Sequence, residues 1–249
     1  MPKVKLIHEV RAFKSKKELA NIIKAQRISE KVLYDVLKYL RNGISELEVA
    51  NFIKKSFVKY GAPILSFTPI VSFGKNTANV HHEPGKTKLK KPTRRGGADT
   101  IMLDFGCTVN HYCSDMTRTY FYGEPNLKQK KIYLAVLRAQ ELALGKIKKG
   151  ERRAKIIDRA ARDFLSKRYG VKKFAHGLGH GVGTVIHEWP NFKPKSEDLI
   201  PAGCVMTVEP GLYFKGFGGV RIEDMVLITK KGYKNLTNTP KDLKSAILK

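Results

Sequence analysis

Apolar residues recur at helical spacing in four stretches of the chain, and these stretches come in two pairs. In the first pair, Ser-x-x-Glu capping boxes at residues 15–18 and 45–48 mark where each helix begins. Glycine follows the periodic pattern in both cases, so we expect these helices to end at Gly43 and Gly61. The second pair is predicted for residues 127–149 and 153–169.

Strand-like segments follow each pair of helices, because apolar and β-branched residues cluster there between turn residues. The five segments are residues 69–74, 100–106, 112–123, 204–214 and 219–229. The order helices, strands, helices, strands predicts an α+β fold of two pseudo-symmetric halves, with helices covering antiparallel strands, although no clear sequence repeat is visible. No Pro/Ser-rich linker divides the halves, so we predict one domain over residues 1–249.

The composition is typical of a folded protein that does not cross a membrane. Hydrophobic residues make up 42% of the 249 residues, which is enough for a buried core. No apolar run reaches the roughly 18 residues of a membrane span, and the N-terminus has no apolar stretch of signal-peptide length, so we expect a cytoplasmic protein. Cys107, Cys113 and Cys204 form no C-x-x-C pair and are expected to be buried as small apolar side chains.

The net charge is the unusual feature of the composition. Lysine and arginine number 48 against 22 acidic residues, and the resulting formal charge of +26 would attract any polyanion. Residues 86–95 hold six basic residues and no acid. Because this stretch lacks aromatic residues on which bases could stack, we favour a solvated basic loop and keep non-specific nucleic-acid contact as the alternative.

Histidine and glycine are concentrated in one segment, residues 176–187, which reads HGLGHGVGTVIH. Histidines four apart would share a helix face, as in the zinc-protease motif H-E-x-x-H, but no glutamate separates His176 from His180. Each glycine in a helix interior also costs about 1 kcal/mol relative to alanine. We therefore predict an extended or looped segment whose glycines let a metal ion, a substrate or a second backbone approach closely.

Two aspartates are predicted to face each other across a hairpin. If Val109 and Asn110 form a two-residue turn, Asp104 lies directly opposite Asp115. Their Cβ atoms would then be about 5 Å apart, a distance at which like charges destabilise a sheet. This register is a hypothesis, because Val-Asn is not a favoured turn dipeptide.

The last two strand-like segments predict a second acidic pair. A glycine-rich loop centred on Gly216 would place Glu209 opposite Glu223. Exposed acids on a solvent face are the ordinary interpretation of any one carboxylate, but apolar residues flank these four. Carboxylates in an apolar setting repel one another unless they are protonated or bound to cations. With a histidine from the glycine-rich segment, four carboxylates predict a site for two divalent first-row metal ions.

Five motifs, in this order, resemble the pita-bread metallopeptidase family (M24), which includes methionine aminopeptidases, Xaa-Pro aminopeptidases and Xaa-Pro dipeptidases. The motifs are VSFGKNTANVHHEP, MLDFGCTVNHYCSDMTRTYFYG, HGLGHGVGTVIHEWP, VMTVEPGLY and GGVRIEDMVLIT, and the match runs from about Arg11 to Thr229. The resemblance implies the pita-bread (creatinase/aminopeptidase) fold and a hydrolase with two divalent metal ions. We expect manganese, with cobalt, zinc and iron as alternatives.

The resemblance also implies roles for individual residues. The expected metal ligands are Asp104, Asp115, His180, Glu209 and Glu223, of which Asp115 and Glu223 bridge the two ions.

Five residues are expected to act on the substrate. By the same resemblance, His81 contacts the substrate or an intermediate, and His187 hydrogen-bonds the oxygen of the scissile peptide. Glu209 shuttles the proton, so it serves as both a ligand and a catalytic residue. His176 and Arg221 are expected to line the substrate pocket.

The last motif indicates the branch of the family. Residues 219–224, GVRIED, resemble Xaa-Pro peptidases rather than methionine aminopeptidases, and His82 stands where that branch often has tyrosine. The resemblance therefore implies an Xaa-Pro aminopeptidase or dipeptidase that removes the N-terminal residue of peptide substrates, as a monomer or a homodimer. The motifs begin almost at the start of the chain, so we expect the separate N-terminal domain of typical Xaa-Pro enzymes to be missing.

Two alternative functions remain open. The compact length favours a methionine aminopeptidase-like enzyme. The charge of +26 favours a pita-bread protein that also binds RNA. Binding modules of this fold have lost their metal ligands, however, and all five ligand positions are intact here.

Overall fold

Four helices follow the predicted amphipathic segments in the computed structural model, which describes residues 9–91 and 97–248. The helices are α1 (Lys16–Tyr39), α2 (Glu46–Lys59), α3 (Leu127–Lys148) and α4 (Ala154–Tyr169). Both predicted capping boxes are present: Ser15 and Ser45 each accept a hydrogen bond from the third residue of their helix. A further capping box, Asn126 with Gln129, begins α3 and is not among the predicted features.

The strands form two sheets and two separate ribbons. The strands are β1 (Ile70–Phe73), β2 (Asp99–Asp104), β3 (Thr108–Val109), β4 (Tyr112–Cys113), β5 (Thr117–Tyr122), β6 (Gly179–Gly181), β7 (Glu188–Phe192), β8 (Val205–Val208), β9 (Gly211–Phe214), β10 (Gly218–Arg221), β11 (Asp224–Thr229), β12 (Gly232–Asn235) and β13 (Ile247–Leu248). The first sheet has the order β1-β2-β5-β13, and the second has the order β12-β11-β8-β6-β7. β13 runs parallel to β5, and the other pairs are antiparallel.

Each sheet is associated with its own pair of helices, which confirms the predicted α+β arrangement of two halves. In the first half, α2 packs against β1, and α1 packs against the ribbon formed by β3 and β4. In the second half, α3 and α4 pack against each other and against strands of the five-stranded sheet. The largest cluster of buried apolar side chains includes residues from both halves, so the two sheets share a core.

The predicted register of the first hairpin is wrong by one position at its turn. The turn is formed by Asn110 and His111, whose φ angles are 46° and 70°. Asp104 therefore pairs with Thr117 and not with Asp115. Asp115 precedes Thr117 by two residues, and side chains alternate along a strand, so both aspartates still face the same cavity.

The second hairpin has the predicted register. Its turn is centred on Gly216, which has a φ of 80°, and the ladders β9–β10 and β8–β11 share one register. Glu209 and Glu223 occupy the facing positions between these two ladders. The predicted continuous strands 204–214 and 219–229 are therefore each divided in two, and the divisions fall at these glutamates.

The predictions for cysteine and for the basic stretch agree with the structure where it describes them. All three cysteines are buried free thiols. In the basic stretch, Lys86, Lys88, Lys90 and Lys91 are exposed, whereas Arg94 and Arg95 lie outside the described residues. Within the described ranges, no helix is both long and apolar enough to span a membrane.

Candidate active site

The histidine-rich segment is extended, as predicted. Its centre forms β6, which lies between β7 and β8. A Cβ atom added at Gly179 would lie 2.1 Å from the backbone oxygen of Thr207, and one at Gly181 would lie 2.7 Å from that of Trp189. Glycine is therefore required for the two neighbouring strands to approach β6, so these glycines accommodate a second backbone.

The five predicted metal ligands lie around one cavity of about 800 Å³. Asp104 ends β2, Asp115 precedes β5, His180 lies in β6, Glu209 follows β8 and Glu223 precedes β11. The Nε2 atom of His180 lies 3.5 Å from Asp115 Oδ2 and 3.3 Å from Glu209 Oε1. One ligand atom each from Asp115, His180 and Glu223 lie within 4.8 Å of one another. Both halves of the fold thus contribute to the cluster.

These side chains have the properties of a metal site. Asp104 Oδ1 and Glu223 Oε1 are buried and have no hydrogen-bond partner among the described residues, an arrangement that is costly unless a cation binds there. Burial and repulsion from neighbouring carboxylates raise the pKa of Asp115 and of Glu223 well above their usual values. Divalent cations would coordinate the unpaired oxygens and reduce the repulsion between the carboxylates, because they bind carboxylate oxygens and offset their charge.

Within the cluster, Glu209 and His180 stabilise each other's charged forms. Burial opposes ionisation of Glu209, but the hydrogen bond and charge of His180 outweigh it and lower the pKa of Glu209 to about 2. Burial likewise opposes protonation of His180, yet contact with Glu209 raises the pKa of this imidazole. Metal coordination requires a neutral imidazole, so binding of an ion at His180 would compete with protonation of this side chain.

Arg221 connects the acidic cluster to Tyr213. Its Nη2 atom lies 2.5 Å from Asp104 Oδ2, and its Nε donates to Thr117 Oγ1 at 3.0 Å. Its Nη1 donates to the hydroxyl of Tyr213 at 2.9 Å, and the same hydroxyl lies 2.8 Å from Nε2 of His176. His176 and Arg221, the two predicted pocket residues, are therefore joined through Tyr213.

Tyr213 and Thr117 contact predicted site residues, but the sequence patterns did not single them out. Thr117 donates to Glu223 Oε2 at 2.7 Å, which leaves Oε1 as the free oxygen of that carboxylate. Strand alternation is a signal that could have found both. Tyr213 shares a face of the β9–β10 ribbon with Arg221, and Thr117 lies two residues after Asp115.

Three predicted substrate-side histidines line the cavity. The rings of His187 and His180 are 4.3 Å apart between centroids and nearly perpendicular, at 72°. Partial burial and the neighbouring His180 lower the pKa of His187. Burial lowers the pKa of His176 to about 4, so this imidazole is neutral near pH 7. His81 is exposed and lines the same cavity.

The sequence of the chain also matches a known protein family. The metallopeptidase family M24 matches residues 20–230 of the chain. The chain belongs to this family. An uncharacterized peptidase of Staphylococcus aureus (strain bovine RF122 / ET3-1) is 39% identical over 235 residues, which cover 94% of this chain and 65% of the relative. The chain thus spans just under two thirds of the length of that M24 relative.

Solved M24 structures confirm the pita-bread fold. The X-Pro aminopeptidase of Thermotoga maritima MSB8 superposes with a TM-score of 0.90 at 33% identity, covering 98% of this chain and 66% of that chain. The prolidase of Pyrococcus horikoshii OT3 superposes with a TM-score of 0.90 at 37% identity, covering 96% of this chain and 67% of that chain. The fold of the chain is therefore that of the M24 family.

His82, which follows the predicted substrate contact His81, is held by the protein. Its Nε2 atom lies 2.8 Å from Oε2 of Glu46, the first residue of α2, whose side chain is fully buried. Glu46 also accepts hydrogen bonds from the backbone N–H of Phe73 and of Gly85. In this M24 chain, His82 therefore fixes the loop that carries His81 in place, although it also lines the cavity.

Proposed function

We propose that the chain is a dinuclear-metal aminopeptidase that removes the N-terminal residue of peptides in which proline is second. The observation that carries this proposal is the convergence of Asp115, His180 and Glu223, whose ligand atoms lie within 4.8 Å of one another. Two buried carboxylate oxygens in the same cluster, on Asp104 and Glu223, have no hydrogen-bond partner in the part of the chain that the structure describes. Membership in a metallopeptidase family supports the same chemistry.

Five side chains hold the metal ions in this proposal. The residues that would hold them are Asp104, Asp115, His180, Glu209 and Glu223. Oxygen and nitrogen donors suit manganese, which we expect as the native metal, as well as cobalt, zinc or iron. When bound, the ions acidify water so that it becomes a nucleophile at neutral pH, and they polarise the peptide carbonyl.

The chain's other side chains bind the substrate and move its protons. His187 donates a hydrogen bond to the oxygen of the scissile peptide, where negative charge develops in the transition state. His81, which lines the same cavity, contacts the substrate. Glu209, oriented by a hydrogen bond from Thr207 at 3.1 Å, accepts a proton from the attacking water and passes it to the leaving nitrogen.

Selection of proline is proposed to depend on shape. An X-Pro peptide bond has no N–H and the proline ring fixes φ, so a pocket can recognise the ring without a hydrogen-bond acceptor for the nitrogen. His176 and Arg221 form a rigid part of the lining because both contact the hydroxyl of Tyr213. The T. maritima X-Pro aminopeptidase and the P. horikoshii prolidase, both close in structure, support this specificity.

A peptide panel tests the proposal. The chain is treated with a chelator, reloaded separately with Mn²⁺, Co²⁺, Zn²⁺ or Fe²⁺, and assayed on an Ala-Pro tripeptide, the Ala-Pro dipeptide and a Met-Ala tripeptide. We expect Mn²⁺ to restore cleavage and the Ala-Pro substrates to react faster than Met-Ala. An N-acetylated Ala-Pro tripeptide should resist cleavage, because an aminopeptidase binds the free amine. Faster cleavage of Met-Ala would contradict the proline specificity, and inactivity with every metal would contradict the peptidase function.

A further inference from the structure

Residues 11–14, which precede α1, contact residues 183–188, the loop that carries His187. Lys14 in this segment forms an ion pair with Glu188, with a distance of 2.5 Å from Nζ to Oε1. Only 2% of the Lys14 side chain and 9% of the Glu188 side chain are exposed. Nζ also donates to the backbone oxygens of Arg11 at 2.8 Å and Ala12 at 3.2 Å. The ammonium group is thus surrounded by acceptors that leave it little freedom to move.

Glu188 is the direct neighbour of His187 in the chain, and the loop before it folds around its carboxylate. A Cβ atom at Gly183 would lie 2.3 Å from Oε2 of Glu188, so the backbone there contacts the carboxylate closely. The carbonyl of Gly183 accepts a hydrogen bond from Cys113 N at 2.8 Å. At the exposed end of the loop, Arg11 Nη2 lies 2.5 Å from Thr184 Oγ1.

We propose that Lys14 is a positioning residue that holds His187, through Glu188, in the orientation needed to contact the scissile peptide. This inference rests on the proposed role of His187. It follows from the placement of the pair: the largely buried carboxylate of Glu188 is one residue from His187, and its ion pair with Lys14 fixes the side of the loop on which its charge is compensated. Displacement of a catalytic group by about 1 Å can reduce the rate about 100-fold.

A purely structural ion pair would behave differently from a positioning pair. Its loss would lower the midpoint of unfolding, but folded molecules would retain their turnover number. A positioning pair changes kcat in molecules that remain folded and keep their metal. KM is expected to change little, because His187 is proposed to act on charge that develops in the transition state.

The test uses the single variants Lys14→Met and Glu188→Gln and the double variant Lys14→Met/Glu188→Gln. The double variant removes both charges, so it leaves no unpaired buried charge and remains informative if a single variant does not fold. Lys59→Met is the matched control, because Lys59 pairs with Asp35 at 3.4 Å and 69% of its side chain is exposed. For each folded variant we would measure kcat and KM on the peptide cleaved best by wild type, metal content, and hydrogen–deuterium exchange in residues 182–188.

We expect kcat of the double variant to fall by about 10- to 100-fold at constant KM and metal content. Exchange of the Val182 and Gly183 amides, which bond to Val205 and Val185, should become faster, whereas the control should match wild type. Wild-type kcat and exchange in the double variant would overturn the proposal, as would a loss of kcat explained by loss of metal. If wild type cleaves no peptide, the proposed function fails. In that case, wild-type exchange at residues 182–188 in the double variant would still overturn the inference that Lys14 holds this loop in place.

Discussion

At the scale of single residues, two carboxylate oxygens of the acidic cluster have no hydrogen-bond partner within residues 9–91 and 97–248. They are Asp104 Oδ1 and Glu223 Oε1, and the second oxygen of each carboxylate accepts a hydrogen bond from Arg221 or Thr117. One oxygen of each acid is thus held in place by the protein, and the other is free for a ligand. This division of roles is the pattern expected when protein donors orient the residues that coordinate a metal.

Asp115→Ala should remove both activity and metal. Asp115 would hold metal in the proposed site, and its carboxylate lies 3.5 Å from His180 Nε2 and converges with Glu223. Metal content, measured by elemental analysis after gel filtration, should fall from about two ions per chain in wild type. Replacement of the exposed Asp163 by alanine is the matched control and should leave metal content unchanged. Full occupancy and turnover in Asp115→Ala would contradict the dinuclear assignment.

His187→Ala should separate catalysis from metal binding. Its proposed hydrogen bond forms with the developing oxyanion, so kcat should fall by about 10²–10³-fold while metal content stays at the wild-type level. His180→Ala provides the comparison, because loss of a ligand should reduce metal content itself. If His187→Ala lost metal as well, His187 would be a ligand, and its place beside His180, with ring centroids 4.3 Å apart, would have to be reinterpreted.

At the scale of elements, β6 depends on glycine for its place between two strands. Gly179→Ala should destabilise the protein, because the added methyl group would lie 2.1 Å from the backbone oxygen of Thr207 and the strands must separate. Overpacking of this kind costs about 1–3 kcal/mol, and it should also reduce kcat because His180 is the next residue. Gly145→Ala in α3 is the control: apart from the backbone of its own helix, no atom of the described residues lies within 4 Å of the added Cβ, so the free energy of unfolding should rise. Denaturant unfolding of both variants measures the difference, and equal stabilities would contradict this account of β6.

At the scale of the whole molecule, stability should depend jointly on metal and pH. Burial raises the pKa of Asp115 and Glu223 above their unfolded values. Without metal, their contribution to stability is therefore greatest below the unfolded pKa and is lost as the pH rises through the folded pKa. Metal ions bind the deprotonated carboxylates, so their stabilising effect has the opposite dependence on pH.

We therefore expect Mn²⁺ to raise the Tm of chelator-treated protein more at about pH 7 than at about pH 5. At a hundredfold excess over Kd the stabilisation should be about 2.7 kcal/mol, which differential scanning fluorimetry can detect. Asp115→Ala is the control and should lose most of the shift. A Tm that does not change on addition of Mn²⁺ at either pH would rule out a metal centre coupled to folding.

The formal charge of +26 predicts diffuse rather than site-specific attraction of polyanions. Neutralising the exposed Lys86, Lys88, Lys90 and Lys91 should weaken heparin binding only moderately, because most of the 48 basic residues remain. The matched control neutralises four exposed lysines elsewhere: Lys146, Lys148, Lys149 and Lys167. Salt-dependent binding should change equally in the two variants. Complete loss in the first variant alone would indicate a dedicated polyanion site.

The sequence by itself determined the features that depend on residues close together in the chain. Capping boxes and apolar spacing predicted α1 and α2, since both signals lie within a few residues of the helix. The glycine-rich loop at Gly216 was enough to place Glu209 opposite Glu223. The turn at Asn110 and His111 was missed because both residues adopt positive φ, which few residues other than glycine adopt, and Asn-His is a weaker turn signal than Asn-Gly.

Only the tertiary structure decided which distant side chains meet. The hydroxyl of Tyr213 lies between Arg221 and His176, and Lys14 pairs with Glu188 across 174 positions of sequence. The physical reason is that local patterns determine backbone conformation and which face of a strand a side chain occupies. The distance between side chains on different elements depends instead on how the two sheets and their helices pack, and that packing is the combined result of the whole chain.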